Sequence, residues 1–170
     1  MRPFGDRRSA RRCGMKKNGY NADTANVLCS SAPNFSLGDL VASELSAAGF
    51  KVLSNPNQAG PSTIVLVGTV EQLFVEPKLN YFTSSFETDV ALKLSARTAT
   101  GLLAERRFYV KGEEATVFAS EQDMQKSLDS GVRQLVTSVV GAVANLADEV
   151  PPVPRVPPPG PPAERQEVAP

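Results

Sequence analysis

The run from Phe86 to Arg97 constrains the fold more than any other stretch, because apolar and polar side chains alternate along it almost without a break. Phe86, Thr88, Val90, Leu92, Leu94 and Ala96 fall on one side; Glu87, Asp89, Ala91, Lys93, Ser95 and Arg97 fall on the other. A period of two over this length predicts a strand with one buried and one wet face. Ala99-Thr100-Gly101 follows as a three-residue hairpin loop, with Gly101 supplying the left-handed conformation that closes it. That loop sets Thr98 opposite Leu102, then Ala96 opposite Ala104, Leu94 opposite Arg106, Leu92 opposite Phe108 and Val90 opposite Val110. The apolar faces meet across the hairpin except at Arg106, whose stem can pack while its head reaches the rim. An earlier run from Ile64 to Val75 predicts a third strand, ended by Pro77.

Two helices are expected on the buried face. Ser36 opens the first as N-cap, with Asp39 completing an approximate capping box, and Gly49 stops it. Leu37, Leu40, Val41, Leu45 and Ala48 make its apolar stripe. Ser120 and Asp123 open the second, which runs about 27 residues, or ~40 Å. Its stripe includes Met124, Leu128, Val132, Leu135, Val136 and Val139, with Gly131 and Gly141 on or beside it. Ala25–Cys29 and Phe50–Leu53 are expected as short strands, and Glu113–Ala119 as irregular. The resulting class is α+β: an antiparallel sheet of about four to five strands, order (β)-β-α-β-β-β-β-α, with both helices on one face. Residues 1–23 are expected as a basic polar arm carrying a first strand cut short, and residues 24–149 as the α+β domain. Residues 150–170 hold nine of the fourteen prolines and predict a disordered, polyproline-like tail.

The eighteen basic and eighteen acidic side chains cancel, but unevenly. Residues 1–17 carry seven basic groups against Asp6 alone, which leaves a mildly acidic body and no basic face for nucleic acid. Histidine is absent, which removes the commonest general base and the commonest zinc ligand. No glycine-rich phosphate loop occurs, and no cofactor or metal site is expected. Cys13 and Cys29 read as two idle thiols; bridged, they would close a loop of about sixteen residues. Two carboxylate pairs, Glu87/Asp89 and Glu113/Glu114, could serve a hydrolase if a cleft desolvated them; as groups on an open sheet face they are solvated charges. Lys93 and Arg107 are expected directly opposite one another on the wet face, with Glu105 diagonal to Lys93 and opposite Ser95. Together with Arg97 they form the candidate partner-binding surface.

The order of local sequences resembles the YajG-type family of bacterial outer-membrane lipoproteins from about Asp6 to Leu146. The resemblance is carried by Asp6-Arg7-Arg8, by Gly14-Met-Lys-Lys-Asn-Gly-Tyr20 before Asp23-Thr-Ala-Asn-Val27, and by the helix end Ala47-Ala-Gly-Phe50. It continues through Val70-Glu-Gln-Leu-Phe-Val75, Asn80-Tyr-Phe82 and Phe108-Tyr-Val-Lys-Gly112 into the final helix. It implies an α+β lipoprotein on the periplasmic face of the outer membrane, with no established catalytic residues. The expected function is a non-catalytic module that binds an envelope protein or lipid component. Membrane attachment would then come only through a lipid anchor. A cytoplasmic chain is the alternative, because residues 1–5 carry no export signal. Cys13 follows Arg11-Arg12 and no apolar run, so it does not resemble a lipidated cysteine. The natural chain is therefore expected to continue upstream of Met1 by about 30 residues, comprising a basic start, an apolar run, a cleavage site ending in cysteine and a strand. Genomic DNA tests this: the upstream frame should encode such a segment, and an in-frame stop immediately before Met1 would refute it.

Overall fold

In the computed structural model, residues 4–9, 11–53, 56–79, 84–98, 101–116 and 120–149 are described. The expected α+β architecture is present: two helices lie on one face of a six-stranded sheet. The elements are β1 (Gly5–Asp6), β2 (Arg12–Lys17), β3 (Asp23–Leu28), α1 (Pro33–Ala47), β4 (Val65–Leu79), β5 (Ser84–Thr98), β6 (Gly101–Thr116) and α2 (Glu121–Glu149). The sheet order is β3-β2-β4-β5-β6, with β1 also on β4. The sheet is mixed, because β1 and β2 run parallel to β4 while all other pairs are antiparallel.

The alternating strand keeps its two faces, although Ala91 and Ser95, two small side chains of the expected wet face, are covered by their neighbours and buried. Phe86, Thr88, Val90, Leu92, Leu94 and Ala96 are all buried on the helix side. Ala96 pairs with Ala104, Leu94 with Arg106, Leu92 with Phe108 and Val90 with Val110. Nearer the turn the register differs: a bulge between Ala96 and Arg97 sets Thr98 against Gly101 rather than Leu102. Gly101 has a φ of 147°, while Ala99 and Thr100 lie outside the described residues. β6 stays regular through Thr116, where an irregular segment was expected from Glu113.

β4 does not end at Pro77 but continues to Leu79, with Pro77 paired to Phe86. β2 pairs with β4 at Gly14–Val75, and beyond that point no strand among the described residues pairs with that side of β4, so a residue lacking an N–H is tolerated there. Arg12–Lys17, read as part of a basic arm, forms a strand inside the sheet, whereas Phe50–Leu53 forms none. The charged side chains explain the first difference. Arg12 lies over the Phe74 ring and Lys17 binds Glu76 at 2.8 Å, so the charges sit at the rim while Cys13 and Met15 are buried. The expected tail at 150–170 lies outside the described residues.

α1 starts three residues earlier than its expected cap. Pro33 occupies the first turn with its φ already helical, Ala32 is the N-cap, and the Ser36 hydroxyl is engaged by that of Ser31 at 2.9 Å. Its end matches expectation: Gly49 at φ 92° and the Phe50 N–H bonding to the Leu45 carbonyl close a Schellman turn. α2 opens as its sequence implies, with the Ser120 hydroxyl accepting from the Asp123 N–H at 3.2 Å.

α2 is seated on the sheet through small groups. A Cβ on Gly112 would stand 3.3 Å from the Cα of Gly131, and one on Gly131 would stand 3.1 Å from the Thr88 methyl. Gly141 faces open space and has no such role. Beside this contact the buried Ser127 hydroxyl donates to the Phe86 carbonyl at 3.0 Å and accepts from Thr88 at 2.8 Å. The core then fills with Val41 and Leu45 of α1, Val70, Val90 and Leu92 of the sheet, and Leu135 of α2. Leu92→Ala and Leu45→Ala should each cost about 2–5 kcal/mol in denaturant titration; a loss under about 0.5 kcal/mol at both positions would contradict this packing.

Candidate binding groove

The first half of α2, the start of α1 and the β2–β3 hairpin enclose a groove of about 590 Å³ on the helix side of the sheet. Its floor is apolar: Leu37 and Leu40 come from α1, Leu73 and Val75 from β4, and Met124 and Leu128 from α2. Helical spacing puts Met124, Leu128 and Val132 on one side of α2, so the stripe that seats the helix also supplies one wall.

A disulfide between Cys13 and Cys29 forms the end of this wall, with Cα atoms 5.4 Å apart. This corrects the expectation of idle thiols. The pairing of β2 with β3 sets Arg12 against Leu28, which brings the two cysteines within bridging range, and that pairing is invisible if residues 1–23 are read as an arm. Arg8 stands beside the bridge. Its side chain, only 6% exposed, binds Asp6 at 3.0 Å and donates to the Cys13 sulfur at 3.1 Å. The hydrogen bond from Arg8 holds the Asp6 carboxyl below its ordinary pKa.

The rim is polar. Lys16 of β2 reaches Glu121 of α2 at 2.6 Å across the mouth, and this bond lowers the Glu121 pKa. Gln125 and Asp129 are bonded at 2.7 Å one turn on, and Ser31 and Ser36 are bonded at the opposite lip. The groove thus combines an apolar floor with a few placed polar groups.

The outer face of the sheet holds the residues the sequence singled out. Lys93 stands opposite Arg107 as expected, and Glu105 binds Lys93 at 2.7 Å. Arg107 is bound by Glu71 at 2.6 Å, and Arg97 is exposed near the hairpin end. Three of the four candidate residues are thus engaged in ion pairs within the chain. Glu87 faces Glu76 directly, and Lys78 lies within 3.9 Å of both carboxylates. Lys111 binds Glu87 at 2.9 Å and is the main cause of its lowered pKa. Asp89 accepts from the Tyr109 hydroxyl, which raises the Tyr109 pKa. Glu113 and Glu114 are not a pair at all: they point to opposite faces, across from Glu87 and Phe86 respectively. Neither hydrolase arrangement is assembled, since neither set of carboxylates lines the groove.

The family model described as uncharacterized lipoprotein, Lipoprotein_16, matches residues 5–141. The chain belongs to this lipoprotein family. No curated protein matches it. Among solved structures, the lipoprotein is similar to XCC0632 from Xanthomonas campestris, of family DUF330, at 12% identity and a TM-score of 0.62, covering 86% of this chain and 84% of that one. This likeness concerns the fold alone. It also matches hypothetical protein CT253 from Chlamydia trachomatis at 8% identity and a TM-score of 0.43, over 85% and 98% of the two chains. Lipoprotein GNA1162 from Neisseria meningitidis matches at 15% identity and a TM-score of 0.23, over 84% and 99%.

No catalytic function is indicated for the lipoprotein by its family, and no described helix is long and apolar enough to cross a membrane. Sequence reasoning missed the groove because one of its walls comes from the hairpin at residues 12–29. The usable signal was the cysteine spacing together with buried Met15 between basic residues.

The outer-face charges give a pH prediction. Glu87 has a folded pKa below its ordinary 4.5, so its contribution to stability is present above that value and is lost as pH falls through the depressed one. Glu87→Gln should therefore destabilise at neutral pH and flatten the acid limb of the stability curve below about pH 4.5. Parallel acid limbs in thermal melts of the two proteins would contradict the assignment.

Proposed function

We propose that this lipoprotein is a non-catalytic binding module in the periplasm, held at the outer membrane, whose groove takes an extended apolar peptide segment of another envelope protein. The observation that carries the reading is the placing of an apolar groove beside an open strand edge. Among the described residues β3 pairs with β2 only, nearly all of its residues are exposed, and its Asn26, Val27 and Leu28 line the groove. Unpaired backbone donors and acceptors beside an apolar pocket suit a peptide that adds as a strand and inserts alternate side chains. The Cys13–Cys29 bridge supports the compartment, because disulfides persist where the surroundings are oxidising. The outer surface of Lys93, Glu105, Arg107 and Arg97 supplies charge for a second contact with the same envelope partner.

Nuclear magnetic resonance titration with a panel of apolar, strand-forming peptides tests this. Amide shifts should concentrate at residues 24–31 and 121–132 and vanish in Leu40→Lys. If lysophospholipid shifts the same amides while no peptide does, the occupant is lipid and the peptide reading is overturned. Shifts confined to the Lys93–Arg107 face would overturn the groove itself.

A further inference from the structure

β6 forms the edge of the sheet opposite β3, and it is long. Its sixteen residues pair with β5 on one side and with no strand on the other among the described residues. Edges of this length are ordinarily blunted by proline, by bulges, by charged side chains or by a covering segment. β6 contains no proline, its bulge at Leu103 lies near the turn, and its protection rests on six charged side chains. Three of its charged side chains, Arg106, Glu113 and Glu114, form no ion pair among the described residues, and Tyr109 is 58% exposed.

Together with Arg107, these charges are arranged symmetrically about Val110. We infer that β6 pairs antiparallel with β6 of a second copy about a two-fold axis at Val110, joining the two sheets edge to edge. Directly opposed residues of an antiparallel pair share a face. Arg106 then meets Glu114 of the second copy on the helix-bearing face, and Arg107 meets Glu113 on the outer face, each contact formed twice by symmetry. Arg107 binds Glu71 through Nε, which leaves its terminal nitrogens for the second carboxylate. Tyr109 faces Lys111, placing an exposed ring beside a cation.

Neighbouring registers are excluded by like charges or lose the complementarity. An axis at Tyr109 sets Glu105 against Glu113 and Arg107 against Lys111, and an axis at Lys111 sets that residue against itself. An axis at Phe108 keeps only Glu105 against Lys111. Moving the axis half a residue is excluded by geometry, because it would oppose residues from opposite faces of the strand. The register centred on Val110 brings both arginines onto carboxylates and opposes no like charges.

Sedimentation equilibrium on the full chain tests the pairing through two charge reversals. The unaltered protein should show a concentration-dependent monomer–dimer equilibrium. Arg106→Glu and Glu114→Arg should each weaken it at least about tenfold, since each variant faces two repulsive pairs where two attractive ones stood. An equal mixture of the two variants should regain the dimer, because every opposed pair is then complementary. Arg107→Glu with Glu113→Arg should repeat the pattern from the other face. Circular dichroism confirms that each variant is folded. A monomer at concentrations up to about 1 mM, a dimer indifferent to either reversal, or a mixture that stays monomeric would each overturn the inference.

Discussion

Everything in this fold depends on how closely α2 approaches the sheet. The contact is made by Gly112 and Gly131, backbone against backbone, and is fixed beside them by the Ser127 hydroxyl bonded to both Thr88 and Phe86. A side chain at Gly112 would lift the helix, because its Cβ would meet the backbone of α2 at 3.2 Å and backbone cannot rotate away. From this seat the helix extends in both directions with different duties. Toward its C-terminus Leu135, Val136, Val139 and Val143 join α1 and the sheet in the core. Toward its N-terminus Met124, Leu128 and Val132 line the groove. One apolar stripe thus builds the core and the candidate site together. The buried hydroxyl pair adds direction to the contact, since an unsatisfied Thr88 or Phe86 oxygen would cost about 1–3 kcal/mol.

How much of this was legible depends on how local the cause is. The alternation from Phe86 to Arg97, the cross-hairpin pairs from Ala96 to Val90 and the opposition of Lys93 and Arg107 follow from a two-residue period, which the chain states openly. Gly49 and Ser120 acted as helix punctuation because their roles need only neighbouring backbone. What escaped was non-local. Arg12–Lys17 reads as an arm because four of its six residues are basic or glycine, yet it is a strand whose cations find Phe74, Glu76 and Glu121 from distant elements. With that strand unseen, neither the disulfide nor the groove could be drawn. Pro77 misled in the same way, because its tolerance depends on where β2 stops pairing rather than on its own neighbours. Ser36 looked like a cap, but Pro33 had already set the first turn.

The two faces of the sheet differ in what they leave unmet. On the outer face Glu76, Glu87, Glu71 and Glu105 are matched by Lys78, Lys111, Arg107 and Lys93, so like charges imposed by the register are relieved within the chain. On the helix face the groove keeps apolar side chains near solvent between a disulfide and an ion pair. Unmet apolar surface is the stronger mark of a partner, because surface ion pairs contribute only ~0–1 kcal/mol while an apolar wall gains on every contact.

The groove is walled by a hairpin whose two strands, β2 and β3, are tied to each other by Cys13–Cys29, beside a body held together by α2 and β4–β6. Amide hydrogen exchange on oxidised and reduced protein tests this arrangement most directly. Reduction should speed exchange across β2 and β3, residues 12–28, while β4–β6 and the core half of α2 keep their protection. Equal loss of protection throughout, or none in the hairpin, would contradict the account.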